Sequence, residues 1–202
     1  MQFTTTRFPT EARQAEIVAA ALRLAQDSGP AAITTTDLAS AVGLSQGALF
    51  KHFASKEAVW LAAMAWVAEH LLRSLNEAAQ QASTPLEALR SVFDAHVDFV
   101  VTHPGVPRVI FHELQQTQDS PLKQQVRGLM QAYRQLLVRL LKAAVARGDA
   151  PADLDESAAA ILFVGIVQGL VMQSMLSGQI SSMRADAPRV FNLYLCGIRK
   201  SA

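Results

Sequence analysis

The apolar residues of this chain recur every three to four positions along stretches cut by Gly or Pro, and no stretch alternates as a strand does. That pattern admits an all-α fold. Thr10 is placed to cap a first helix whose buried stripe is Ile17, Ala20, Ala21 and Leu24, and Gly29 and Pro30 stop it. Thr34 with Asp37 three residues later forms a capping-box start for a short helix carrying Leu38, Ala39 and Val42, and Gly43 ends it. Ser45 caps a third helix through Phe53, and Ser55 a fourth that passes Trp60 and Trp66 to about Gln80. Further helices are expected at about 85–102, 105–117, 121–147, 153–177 and 187–200. Of 202 residues, 50% are hydrophobic and 17% charged, which gives ample material for a buried core. The expected division is a helix-turn-helix head over residues 1–54 and a larger helical bundle over 55–202.

Within the head, Ala39, Gly43 and Leu49 supply what a helix-turn-helix needs. The first is small where two helices cross, the second tolerates positive φ at the turn, and the third packs back on the first helix. A net charge of +1 creates no global field that draws nucleic acid, so any DNA contact depends on local placement. Between Gly43 and Lys56 the charged residues are Lys51 and Lys56, with His52 beside the first. The turn Ser45, Gln46, Gly47, Ala48 is small and polar enough to enter a major groove. Gln46 suits adenine, Ala48 a thymine methyl, and Lys51 a guanine or a phosphate. Thr34, Thr35, Thr36 and Ser45, with the helix-start amides, suit phosphates.

The runs EIVAAALRLAQDSG from Glu16 and TTTDLASAVGLSQGALFKHFASKEAVW from Thr34 resemble the TetR family of transcriptional regulators. The family pattern is met by Gly47, Leu49, Phe50, His52, Phe53, Lys56 and Glu57. Phe50 stands where the family usually has Tyr, so a phosphate hydrogen bond is missing and anchoring shifts towards Lys56, Ser45 and the backbone. The resemblance implies a homodimer formed by the last two long helices, and a cavity among the middle helices that takes a small effector. It also implies a repressor released from a palindromic double-stranded DNA operator when the two recognition helices, set about 34–36 Å apart, change their separation. Trp66, Phe93, His96, Phe111, Met130, Tyr133, Phe163, Gln168 and Met172 are the candidate cavity residues, and they favour an apolar or aromatic effector. Gly165, Gly169, Val190 and Tyr194 are the candidate dimer residues.

Other chemistries find little footing. Residues 158–176 approach a membrane span in length, yet carry Gln168, Gln173 and Ser174, follow an acidic start (Asp153, Asp155, Glu156) and have no flanking Lys/Arg asymmetry to set an orientation; burial in protein or a dimer seam accounts for them, and no membrane is expected. His112 and Glu113 begin like HExxH, but position 116 is Gln, and His96 and His103 do not complete a metal site. Ser120 to Lys123 matches S-x-x-K formally and reads better as a helix start; no phosphate loop or GxSxG is present. The expectation is no catalysis, no metal and no cofactor. One cysteine, Cys196, and a start without a secretory h-region suggest a cytoplasmic protein. Arg7 is a candidate minor-groove contact. The competing reading is a dimeric small-ligand-binding protein that does not bind DNA, separable by whether DNA is retained and how retention responds to salt.

Overall fold

The computed structural model describes residues 10–200, and among them there are nine α-helices and no strand. These are α1 Thr10–Asp27, α2 Thr35–Ala41, α3 Gln46–Leu49, α4 Lys56–Gln80, α5 Pro85–Thr102, α6 Gly105–Gln115, α7 Pro121–Arg147, α8 Glu156–Ser177 and α9 Met183–Ile198. A single 3-10 turn at Ile180–Ser182 precedes α9. The all-α expectation is met, and Arg7 lies outside the described residues.

Three boundaries differ from expectation. The third helix ends at Leu49, because Lys51 and His52 donate to carbonyls three residues back, Ala48 and Leu49, and the chain tightens into a turn before Ser55 caps α4. α8 starts three residues late, at Glu156, where the Asp155 carboxylate accepts from the Ala158 amide at 2.9 Å. α9 starts four residues before the expected 187 and carries Pro188 inside it; Met183 and Ala187 are both buried, and that burial holds the additional turn.

The described residues form two compact units. One holds the chain through Trp66 together with His103–Gln125. Here α1 buries Ile17, Ala20, Ala21, Leu22 and Ala25, and α6 lies against it, burying Gly105, Val106, Pro107 and Val109. The other unit holds Val67–Thr102 and the chain from Val126 onward. Its core is aromatic: Phe93 of α5, Tyr133 of α7, Phe163 of α8, and Phe191 and Tyr194 of α9, with ring centroids of neighbouring pairs 4.8 to 6.2 Å apart. Most of those pairs meet edge to face, the arrangement that ring quadrupoles favour.

Candidate nucleic-acid interface

The head is built by local rules acting in sequence. Thr34 Oγ1 accepts from the Asp37 amide at 3.1 Å, and the Asp37 carboxylate accepts from the Thr34 amide at 2.8 Å, closing the expected box. Those hydrogen bonds from Thr34 hold the Asp37 carboxyl below the usual carboxylate range. At the end of α2, Gly43 takes φ 65° and the Leu44 amide returns to the Ala39 carbonyl at 2.8 Å. Leu38, Ala39 and Leu49 are buried, as the helix-turn-helix packing requires. Ser45 then caps α3, its hydroxyl accepting from the Ala48 amide at 3.2 Å.

With Leu49 turned inward, the first turn of α3 faces out. Ser45, Gln46 and Gly47 are exposed, Ala48 is half-buried, and one turn on Phe50 is 44% exposed beside an exposed Lys51. Gln46 is oriented: its Nε2 donates to Thr35 Oγ1 at 2.7 Å. Thr36 is exposed on α2.

Three residues expected on this surface are engaged otherwise. The Thr34 hydroxyl donates to Asp37 at 2.7 Å and accepts from its amide, so the capping box already uses it. Lys56 Nζ donates to the carbonyls of Ile33, at 2.6 Å, and Ala31, at 3.3 Å, and thereby fastens the loop before α2 to the start of α4. His52 is half-buried; its carbonyl accepts from Gln14 Nε2 at 3.0 Å and its Nδ1 is buried without a partner among the described residues. All three brace the head. Lys51 remains as the outward cation next to α3.

The effector candidates fall into separate groups. Phe93, His96, Tyr133 and Phe163 come together in the aromatic core, where His96 Nδ1 and the Tyr133 hydroxyl lie 3.1 Å apart. Burial drives the His96 pKa down to about 4 and raises that of Tyr133 well above its ordinary value. Met130 is half-buried on α7. Trp66 and Phe111 belong to the other unit, Trp66 edge-on to His103 at 5.2 Å. Gln168 and Met172 are exposed, because α8 buries the face bearing Ala160, Phe163, Val167 and Val171, and these two lie round the helix from it. Phe191, absent from the expected set, lies at the centre of the aromatic core; its spacing with Ala187 and Tyr194 was the available signal.

The exposed face of α8 carries Ile161, Leu162, Gly165, Gly169, Met172 and Leu176, and α9 exposes Leu193 at 75% and Cys196. Val190 is half-buried. Tyr194 does not join this face: it is 3% exposed and its hydroxyl donates to the Ala159 carbonyl at 3.1 Å inside the same chain.

Residues 17–63 match the family model of bacterial regulatory proteins, tetR family, and residues 85–187 match the Tetracyclin repressor-like, C-terminal domain. The chain belongs to the TetR family. TetR-family regulators bind operator DNA, respond to small molecules and act as dimers, and this chain is a DNA-binding transcriptional regulator of that kind. Among curated relatives, the nucleoid occlusion factor SlmA of Vibrio atlanticus is 26% identical over 158 residues, 78% of this chain and 81% of that protein. Among solved structures, the fatty acid degradation regulator FadR from Bacillus halodurans superposes with a TM-score of 0.82 at 20% identity, over 98% of this chain and 100% of that one. FadR from Bacillus subtilis, solved with stearoyl-CoA, gives 0.79 at 20% identity over 92% and 99%, and the ketosteroid regulator KstR2 of Mycobacterium tuberculosis 0.76 at 20% over 99% and 98%.

Proposed function

We propose that this TetR-family regulator represses transcription from a two-fold symmetric operator and releases it when a small, largely apolar molecule occupies the helical bundle. The observation that carries the reading is the Ser45-capped turn of α3, which buries Leu49 and leaves Ser45, Gln46 and Gly47 open to base edges. In this reading Gln46, Gly47 and Ala48 meet bases, and Lys51, Ser45, Thr35, Thr36 and the amides of α3 meet the DNA backbone. Phe50 offers a sugar or a thymine methyl an apolar contact. Thr34, His52 and Lys56 position the head. The functional division follows, with a reading head over 1–54 and an effector and dimer region over 55–202.

Dimerisation is assigned to the exposed apolar face of α8 and α9, where Gly165 and Gly169 allow close approach. The aromatic core around His96 and Tyr133 supports an apolar effector with one polar group; of the stearoyl-CoA in the Bacillus subtilis relative, only the acyl chain has that apolar character. The protein works by binding, without catalysis, in the compartment that holds the chromosome.

Selection of bound fragments from random DNA tests the reading. The expected result is a palindrome with affinity falling steeply as salt rises. Gln46→Ala relaxes preference at one base position per half-site at a cost of about 1–3 kcal/mol, whereas Lys51→Ala weakens all sequences alike. A selection that enriches no symmetric sequence overturns it.

A further inference from the structure

A cavity of about 340 Å³ lies within the unit that carries the head, where the start of α4 meets the end of α6 and the start of α7. That volume falls within the ordinary range for small-ligand pockets. It is separate from the aromatic core of the other unit, which holds Phe93, His96 and Tyr133. Leu61, Val109 and Leu122 give it apolar walls. Two polar side chains, each more than nine-tenths buried, also line it. The Trp60 indole is 6% exposed and its Nε1 finds no acceptor among the described residues. The Glu113 carboxyl group, on a residue 8% exposed, receives the Ser120 hydroxyl on one oxygen.

A buried N–H without an acceptor costs free energy that nothing among the described residues returns. A buried carboxylate with one oxygen engaged keeps further acceptor capacity on the other. A hydroxyl answers both, accepting from an indole N–H and donating to a carboxylate. The lining also carries Glu57, and two donors of the Lys56 ammonium there are taken by the carbonyls of Ala31 and Ile33. Two carboxylates, Glu57 and Glu113, against that one cation disfavour an anionic head beside Glu113.

We propose that this cavity is a second small-molecule site, distinct from the effector site of the bundle, and that it takes a compact apolar molecule with a hydrogen-bond-donating head, neutral or cationic. Occupancy acts on the DNA-reading head directly. The first turn of α4 lines the cavity, and Lys56 in that turn holds the loop that leads into α2. A ligand that binds one arrangement of this corner better than another shifts the head's affinity for DNA by the same differential.

The chain has two tryptophans, so a Trp66→Phe variant leaves Trp60 as its sole indole reporter. Three probes share one phenylpropyl body: 3-phenylpropan-1-ol, 3-phenylpropylamine and 4-phenylbutanoate. The expected result is saturable quenching of Trp60 by the alcohol and the amine, with the carboxylate weaker by roughly tenfold or more, as for repulsion of about 1.4 kcal/mol. Leu61→Phe, a change at a half-buried wall position, abolishes saturation while thermal unfolding stays cooperative. Glu113→Gln lowers amine affinity roughly tenfold and alcohol affinity less, since the charge-assisted bond is the stronger one. Equal quenching by all three probes, linear quenching without saturation, or quenching that Leu61→Phe leaves unchanged overturns the site. None of these readouts involves DNA, so failure of the operator reading and failure of this site are told apart.

Discussion

Gly105, the first residue of α6, is the position where one methyl group does most damage. A Cβ built there lies 2.0 Å from the Leu22 carbonyl oxygen and 3.1 Å from the Gln26 amide nitrogen, both backbone atoms of α1. Real Cβ atoms essentially never come within 3.0 Å of such neighbours, so α6 must withdraw from α1 by at least about 1 Å. A helix carbonyl cannot rotate aside without breaking its own hydrogen bond, and the displaced contact includes buried Val106, Pro107 and Val109. Overpacking of this kind costs about 1–3 kcal/mol. The helix propensity gained by Ala offsets little of it at a first-turn position, where the backbone is only half restrained. Gly128, in the middle of α7, is the matched control: it is exposed and a Cβ there meets nothing within 4 Å. Urea unfolding followed by far-UV circular dichroism should show Gly105→Ala lowering stability by about 1–3 kcal/mol and Gly128→Ala raising it by up to about 1 kcal/mol. If both substitutions shift the midpoint upward, α6 does not approach α1 this closely in the protein.

The His96 imidazole is buried neutral, with its pKa lowered from 6.5 to about 4. The unfolded chain therefore takes up this proton first, and stability falls as pH drops from 6.5 towards 4, by about 3 kcal/mol in all. Unfolding midpoints across that window should decline less steeply in His96→Phe; an unchanged slope removes His96 as the source. Tyr194→Phe deletes the donor to the Ala159 carbonyl and should cost about 1–2 kcal/mol in thermal or urea melts, without altering sedimentation. Altered sedimentation would return Tyr194 to the subunit interface. Leu193→Glu, at a 75% exposed position on α9, should yield monomers in analytical ultracentrifugation and weaken binding to a full palindrome while sparing a single half-site. An intact dimer in that variant places the interface elsewhere.

What the sequence made legible is what a few neighbouring residues decide among themselves. Thr34 with Asp37, Gly43 at positive φ and Ser45 over Ala48 each follow from chemistry spanning three or four positions, and each was met. What was not legible is the set of intrachain partners that tertiary packing or competing local bonds provide. Lys56 reads as a free cation until Ile33, 23 residues earlier, offers a carbonyl that its ammonium can reach, and Thr34, expected both to close a capping box and to meet a phosphate, has its hydroxyl engaged by Asp37. α8 defeats the reading in another way. It is apolar on every side, so periodicity alone does not say which residues face the core and which face a partner. Size resolves it: Phe163 is drawn into contact with Phe93, Tyr133 and Phe191, and that anchorage turns Gly165, Gln168, Gly169 and Met172 away from the core. Leu176 and Leu193 then remain exposed at 76% and 75%, a cost in apolar hydration that the dimer proposed above removes. The same aromatic core that orients α8 thus decides which of its residues are left exposed, and the dimer face proposed above is built from those residues.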